Sequence, residues 1–367
     1  LSAALVLLLS AAHPPDDMRV VRKEGAALAE GGYRVRHLCR AEAAPPNIGA
    51  VEVEAIPARS RLAALPRLAR RAAALRPAVV HASEPDAWAA ALWAGRRCGA
   101  RVVLDVHEHY PSRLDGRLPR GLRGAARSVL RRGLAAMARQ ADAVVLAKDG
   151  LAADYPGARA VAVRNHAVIP AGLAPRRYRP GALTLVHLGA LARSRGWPVM
   201  LEALSLMPEA TRLLLLGRFT DGSEAAFRAE AARLRLAARI EVAGWLPAEE
   251  ALRRAAAEAD INLVLLQPGP ENHRLALPHK VFDAMACGLP SIVPSFAEQL
   301  APLVAAGVAV SAATEDAASV AAAAAALADP ALRARMGAAA RAAAEGEWGW
   351  PRQAEALRAL YAELLAA

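Results

Sequence analysis

Short apolar runs alternate with longer stretches of helical period along the whole chain. In the first half the runs fall at 3–8, 33–39, 78–81, 101–108, 141–146 and 161–165, and in the second at 183–188, 213–216, 240–243, 261–266 and 291–293. The runs are continuous rather than alternating, which marks strands covered on both faces, and the Ala-rich helical stretches between them supply the cover. Strand, helix and strand at this spacing make a βαβ unit, so each half reads as a doubly wound parallel sheet with its ligands at the carboxyl ends of the strands. Residues 166–181 carry Pro170, Pro175, Pro180, Gly172 and Gly181 with no apolar period, as a linker does. The expected organisation is α/β, with a Rossmann-like domain over 1–165, a linker over 166–182, a second Rossmann-like domain over 183–346 and a helical segment over 347–367.

Length and composition agree with two cores. A single core stops growing at about 250 to 300 residues, the chain has 367, and 55% of them are hydrophobic. Its 46 Lys and Arg against 35 Asp and Glu leave a net charge of +11, nearly all from arginine. Such a chain is drawn to nucleic acid, anionic membranes or anionic small molecules. Nucleic acid is set aside, because no finger, basic zipper or aromatic-basic interleaving is present. Cys39, Cys98 and Cys287 are far apart, without the spacing of a zinc site or a disulfide framework, which fits a reducing, cytoplasmic setting. The opening run at 3–12 has no Lys or Arg before it and Arg19, Arg22 and Lys23 soon after, and reads as a buried strand rather than a signal peptide. No charge-free run of about 20 apolar residues occurs to span a bilayer.

The chemistry concentrates at Leu277-Pro278-His279-Lys280-Val281-Phe282-Asp283-Ala284-Met285-Ala286-Cys287-Gly288-Leu289-Pro290. Pro278 starts a helix and Gly288-Leu289-Pro290 ends it, so that 291–293 can enter a buried strand. An anion at the start of that helix meets N–H groups with Lys280 and Asp283 beside them, an arrangement suited to a nucleoside diphosphate.

This stretch resembles the donor-binding segment of the retaining glycosyltransferases of family 4, which read Pro-x-Lys-x-Phe-Glu-x-Met-Ala-x-Gly-x-Pro and have the two-domain B-type glycosyltransferase fold. The resemblance implies two facing domains with the ligand in the cleft between them, and a final helix, bent at Trp348 and Trp350, that packs back on the first domain. It implies Asp283, in place of the family Glu, on the ribose hydroxyls. Eight positions earlier, where the family has a sugar-binding Glu, stands Leu275, so Leu275, Ala276 and Leu277 line the donor site without a carboxylate. Arg195-Gly196 resembles the family's cationic position for the diphosphate, in a loop that begins at Gly189 and includes Arg193; a further family cation is replaced by Ala190. Gly217 and Gly244, each following a strand, complete the donor set.

In the first domain, His13-Pro14-Pro15-Asp16-Asp17-Met18-Arg19 resembles the family's His-Pro-Pro-x-Asp-x-Arg opening, which faces the acceptor. Read on its residues alone it is equally a proline-stiffened connector with an acidic helix cap. Asp105-Val106-His107-Glu108 resembles the family segment whose His lies between acceptor and donor phosphates, and its polar residues predict a strand end open to a cleft. The catalytic set is thus His107, Arg195 and Lys280, and the acceptor set His13, Asp17, Arg19, Glu84 and Glu108. No metal-ligand cluster is seen and no cofactor is expected, since the substrate is itself a UDP- or GDP-linked sugar. Residues 120–137 form a helix with Arg120, Arg123, Arg127 and Arg131 along one face, suited to an anionic membrane surface or to plain solvation. The expected activity is sugar transfer with retention to a glycan or lipid-linked acceptor in cell-surface polysaccharide or glycolipid synthesis. Its rivals are a nucleotide-sugar epimerase of the same fold and a non-catalytic partner subunit.

Overall fold

The apolar runs become strands, and in all but the edge strands at 160–162 and 240–242 both faces of the strand are covered. The computed structural model describes residues 3–115 and 118–366, without the side chain of Arg120. One unit takes the chain up to Asn165 together with Trp350 onward, and the other is His166–Gly349.

The strands of the first unit are β1 (Leu5–Ser10), β2 (Arg34–Cys39), β3 (Asn47–Ile48), β4 (Val51–Ala55), β5 (Val79–Ala82), β6 (Arg101–Val106), β7 (Ala143–Leu146) and β8 (Ala160–Ala162). They lie in the order β3-β4-β2-β1-β5-β6-β7-β8, parallel except for the β3–β4 hairpin. Leu7 and Leu9 of β1 pack beneath α2 (Arg61–Leu75), α3 (Pro85–Cys98) and α4 (Arg120–Ala138), which follow α1 (Ala26–Glu30) in the chain. Val6 and Leu8 point the other way, into a core closed by Leu357, Leu360, Tyr361 and Leu364 of the C-terminal helix Trp350–Ala366. That helix is therefore part of the first unit's second layer, although 184 residues of the other unit precede it in the chain.

Between β1 and β2 the chain winds one wide π-type segment, Val20–Gly25, before α1. Gly25 lets this segment lie on the sheet, since a Cβ there would come within 2.9 Å of Val51 and 3.1 Å of Leu8. The wide turn carries Lys23 and Glu24 inward, an arrangement that recurs at functional sites.

The second unit has β9 (Thr184–Leu188), β10 (Arg212–Leu216), β11 (Ile240–Val242), β12 (Ile261–Leu263), β13 (Ser291–Pro294) and β14 (Ala309–Ala312), parallel throughout in the order β11-β10-β9-β12-β13-β14. Its helices are α5 (Trp197–Ser205), α6 (Glu224–Arg233), α7 (Ala248–Glu258), α8 (Glu271–Arg274), α9 (His279–Ala286), α10 (Ala301–Ala305), α11 (Ala317–Ala326) and α12 (Pro330–Glu345). Leu213 and Leu215 face one core while Leu214 and Leu216 face the other, so both sides of the sheet are buried.

Strand order reverses beside β1 in the first unit, where β2 and β5 flank it, and beside β9 in the second, where β10 and β12 flank it. A doubly wound sheet opens a crevice at such a switch point. It falls beyond Ser10 and Ala82 in one unit, and beyond Leu188 and Leu263 in the other. The hairpin at 47–55, helix α2 and strand β14 were not among the elements expected from the pattern. The run at 101–108 ends as a strand at Val106, leaving His107 and Glu108 beyond the sheet.

Two histidines lie wholly inside the first unit. His37 of β2 and His81 of β5 are fully buried, and burial pushes each down to about 4. An unfolded chain binds a proton at each below about pH 6.5, so the stability they contribute is complete above that pH and is lost as pH falls toward 4. Replacing His37 by Gln should therefore reduce the acid sensitivity of the fold. Between pH 7 and pH 5 the variant's unfolding free energy should gain about 2 kcal/mol relative to wild type. Urea melts at the two pH values check this, and parallel changes in both proteins would refute it.

Candidate functional site

In the second unit the site begins with two glycines set back to back. Gly189 leaves β9 with φ +79°, and its N–H bonds the Leu216 carbonyl at 2.7 Å. Gly217 leaves β10 so close that a Cβ on it would stand 1.8 Å from the Gly189 carbonyl oxygen. Only glycine permits that approach, and it brings two strand ends together at the switch point. Gly196 ends the loop with φ +84°, where a Cβ would meet the Leu265 carbonyl at 2.2 Å. Arg193 lies over the Trp197 ring at 4.7 Å, and its N–H bonds Asp221 at 2.8 Å. Arg195 is half-buried in the same turn.

Helix α9 meets this loop with its first turn, while its apolar side packs into the core. Lys280, Val281, Phe282, Ala284, Met285 and Ala286 are buried, while His279 and Asp283 remain partly open, with His279 Nε2 3.9 Å from Asp283 Oδ2. Lys280 Nζ donates to His187 Nε2 at 2.6 Å and to the Ala190 carbonyl at 2.9 Å. Burial pushes its pKa well below the ordinary lysine value, and the nearby Arg195 adds to that while Asp283 opposes it. Gly288, with φ +69°, stops the helix, and its carbonyl accepts the Tyr178 hydroxyl at 2.7 Å.

Beyond β11, Gly244 at φ +78° has open space where a Cβ would be, and Trp245 after it is 61% exposed with the Arg218 guanidinium 4.9 Å over its ring. Leu275 and Ala276 use their N–H groups to close α8, on Glu271 and His273 at 3.0 and 3.1 Å. Whatever Leu275 and Ala276 offer a donor is a carbonyl oxygen or a shape. Leu277 follows, half-buried, before Pro278.

In the first unit the switch point carries two imidazoles edge to face, His13 and His107, with ring centroids 4.7 Å apart. Each stands on its own carboxylate. His13 Nδ1–H donates to Asp17 Oδ2 at 2.9 Å, and His107 Nε2–H donates to Asp105 Oδ2 at 2.5 Å. Burial opposes ionisation of Asp17, but the His13 hydrogen bond and charge outweigh it and hold the carboxyl near 2. Beneath them Arg19 bonds Asp105 through Nε and Nη2 at 3.2 and 3.0 Å, bonds the Val163 carbonyl at 2.9 Å, and sets Nη2 2.8 Å from Glu24. Burial drives Glu24 well upward and Arg19 opposes it, while the adjacent Asp105 reinforces the rise. Asp105, although burial works against it, is held low by Arg19 and His107. Of the two carboxyls, Asp105 is the one whose ionised form its neighbours favour.

Two models of known families match the chain. A glycosyl transferase 4-like domain covers residues 18–172, and a domain of glycosyl transferases group 1 covers 182–329. The chain belongs to the family 4, group 1 glycosyltransferases. No curated protein matches it in sequence. Among solved structures, sucrose-phosphate synthase from Thermosynechococcus elongatus shares 18% identity at TM-score 0.79, with 99% of each chain covered. HepE from Anabaena in complex with UDP-glucose shares 16% at TM-score 0.70, covering 98% of this chain and 100% of that one. A trehalose-phosphate synthase from Burkholderia vietnamiensis shares 14% at TM-score 0.70 over the whole of both chains. These likenesses establish the B-type glycosyltransferase fold, two parallel-sheet α/β domains.

Of the acceptor set expected from the sequence, Arg19 and Glu84 are buried and bonded within the first unit. Arg19 is 6% exposed, and its guanidinium is taken up by Asp105, Glu24 and Val163. Glu84, also 6% exposed, accepts from the Ser10 hydroxyl and from the N–H groups of Ala11 and Ala12, fixing the loop after β1. Arg19 reaches the imidazoles through Asp105, while Glu84 Oε2 itself lies 3.8 Å from His13 Nε2. Glu108 is partly open and pairs with Arg113 at 3.1 Å. The strand end at Asp105 is closed rather than open, because Arg19 satisfies the carboxylate. Glu24, His187, Tyr361 and Trp245 went unassigned in the sequence. Nothing local in the sequence marks any of the four.

Glu24, His81 and Asp105 place ligand-type atoms within 4.8 Å of one another, and Arg19 already supplies the positive charge this carboxylate pair requires. Asp105→Asn in the transferase should cost about 3 to 5 kcal/mol, because it leaves Arg19 buried without its anion. Glu24→Gln replaces a neutral group by a neutral group and should cost under about 1 kcal/mol. Thermal melts of the two variants at neutral pH decide the point, and equal losses would refute the assignment of the charge to Asp105.

Proposed function

We propose that this glycosyltransferase moves a sugar from a nucleoside diphosphate sugar to a glycan or lipid-linked acceptor with retention of configuration and with protein cations, not a metal, at the diphosphate. One observation carries the reading: the buried Lys280 side-chain nitrogen stands beside the Gly189 turn at the second unit's switch point, with Arg195 close by and no carboxylate within 4.0 Å among the described residues. Breaking the bond between the anomeric carbon and the diphosphate oxygen leaves negative charge on the phosphate. Fixed cations with little water around them stabilise that charge without reorganising. The acceptor oxygen bonds the anomeric carbon on the face the phosphate leaves, and the acceptor's proton passes to the departing phosphate. On the first unit, His107 held by Asp105 is the catalytic imidazole, and His13 held by Asp17 serves the acceptor. The UDP-glucose named for the HepE complex supports a UDP-linked donor, and the exposed Trp245 ring under Arg218 offers a stacking surface for its base.

Asp283 is the ribose ligand in this reading. It sits on the open side of α9, and Asp283→Ala should weaken nucleotide-sugar binding by roughly tenfold to a few hundredfold, the worth of hydrogen bonds to a charged group. Asp283→Glu should change it little. Calorimetric titration of UDP- and GDP-sugars in EDTA, paired with melting curves, tests this. Unchanged affinity with a lowered melting temperature would reduce Asp283 to a helix stabiliser, and binding that requires added Mg²⁺ would overturn metal independence. An epimerase releases no nucleotide in response to acceptor, and a non-catalytic subunit turns over no donor, so acceptor-dependent release of free nucleotide separates all three.

Peripheral attachment to an anionic membrane belongs to the same proposal. Among the described residues no helix is long and apolar enough to cross a membrane. The arginine face of α4 is less available than its spacing implied. Arg127 pairs with Asp115, Arg131 with Asp154 at 2.7 Å, and Arg123 bonds the Leu118 carbonyl at 2.8 Å, while the Arg120 side chain lies outside the described residues. What stays open is apolar, with Leu122 59% and Val129 68% exposed two turns apart. Insertion of this ridge, aided by charge, predicts vesicle binding that weakens with salt and is lost in the double variant Leu122→Glu, Val129→Glu. Flotation with phosphatidylserine vesicles checks it, and unchanged flotation of the double variant would eliminate this face.

A further inference from the structure

The second unit holds a buried lysine in an unusual way. Lys280 is 3% exposed and His187 is 1% exposed. Arg19 of the first unit, buried to a similar degree, lies within 3.0 Å of two carboxylates. Lys280 instead meets a neutral ring and a carbonyl. The ring's state follows from its neighbours. His187 Nδ1 faces the Leu263 carbonyl at 3.1 Å, and a carbonyl can only accept, so Nδ1 carries the proton. Nε2 is then left with its lone pair toward the ammonium 2.6 Å away, and the Ala190 carbonyl that both groups approach belongs to the ammonium. A second proton on the ring would set two cations in contact inside the protein. Burial, and then Lys280 itself, push His187 well below the ordinary histidine value.

The ammonium also looks toward ligand space. An atom standing off Gly189 in the Cβ direction lies 3.9 Å from Lys280 Nζ and 4.0 Å from His279 Nε2. The charged and titratable groups around Lys280 are His187 from β9, Arg195 from the loop before α5, and His279 and Asp283 from α9 itself, while Asn262 of β12 bonds the Lys280 carbonyl at 3.4 Å.

We propose that His187 is a positioning residue of the donor site, whose neutral imidazole holds Lys280 at the Gly189 turn without a counter-carboxylate, so that the donor's diphosphate becomes the counter-ion and its binding draws a proton onto Lys280. This rests on the reading that the glycine turn and the start of α9 take a nucleoside diphosphate. No covalent bond changes in the step. The amine takes one proton from solvent as two phosphate charges arrive, and returns it when the nucleotide leaves. Burial with Arg195 near at hand already disfavours the ammonium in the free protein. A fixed carboxylate partner would remove that dependence, and none stands within 4.0 Å among the described residues.

The chain contains only three lysines, Lys23, Lys148 and Lys280, so each is separable by NMR of the full protein labelled with ¹³C-lysine, with Lys280 assigned from Lys280→Arg. The Lys280 ε-methylene midpoint should lie well below that of a free lysine, and should rise when UDP-glucose, whose diphosphate does not titrate near neutrality, is added. Calorimetry in buffers of different ionisation enthalpy should show net proton uptake across the same pH range. His187→Leu should lower the free-state midpoint further and weaken UDP-glucose roughly tenfold to a hundredfold, with His187→Gln, which restores an acceptor near Nε2, recovering most of both. An ordinary lysine midpoint in the free protein overturns the proposal whether or not ligand binds. Nucleotide-sugar binding that leaves the midpoint unmoved overturns the coupling alone. A depressed midpoint that no UDP- or GDP-sugar shifts overturns it by way of the donor reading. If His187→Leu does not fold, the wild-type titrations with and without ligand decide by themselves.

Discussion

A buried cation must find negative charge or lose its proton, and the two units meet this constraint in opposite ways. In the first unit Arg19 is neutralised from within, by Asp105 with Glu24, pushed upward by burial, beside it. Because arginine does not deprotonate, the pairing is permanent, and it ties the turn after β1 to the end of β6 and to the Val163 carbonyl just past β8. The imidazole of His107 rests on the same carboxylate, so its orientation is inherited from a charge that solvent never reaches. In the second unit the residue is a lysine, which can give up its proton, and its partners are neutral. The first arrangement builds a rigid floor, and the second leaves a charge to be completed from outside.

Topology explains why both arrangements lie where they do. Each sheet reverses direction at its first strand, and the chain must leave that strand through a tight turn at its carboxyl end. In the first unit the turn is held by Glu84 reaching back from just past β5, which sets His13 between Asp17 and His107. In the second it is held by Gly189 against Gly217, a contact of backbone on backbone that leaves no room for side chains. Lys280 and His279 of α9 reach that turn from across the switch point, and the His187 ring of β9 meets it at the Ala190 carbonyl. A glycine pair and a lysine far apart in the chain are thus consequences of one packing requirement.

The strands were legible because burial on both faces leaves a continuous apolar run, and most of them begin or end within two or three residues of the expected positions. Short edge elements such as β3 and β14 were not, since two or four residues with mixed polarity carry too little pattern. The helix from Pro278 was legible through its proline start and glycine stop. Which way its residues face was not, and this decides their roles. Lys280 and Asp283 are close in sequence, yet one is buried against His187 and the other open beside His279. Arg19 and Glu84 were visible as polar residues in a loop at the right edge, but their partners lie 86 and 74 residues away, and no local spacing reveals such a pairing.

The same limit governs the reading of charge. An arginine every three or four residues along α4 suggests a basic face when the helix is considered alone. Asp115 and Asp154, 12 residues before one arginine and 23 after another, are brought against it by the fold and neutralise part of that face. A net charge of +11 is therefore a poor guide to where positive potential is displayed, since many of the arginines that contribute to it are paired with acids from other elements. The positive charge that matters for an anionic substrate is the charge the fold declines to pair. In the second unit that charge is carried by Lys280, one of three lysines in a chain that otherwise uses arginine, at a position where the ability to lose a proton is the property that distinguishes the two residues.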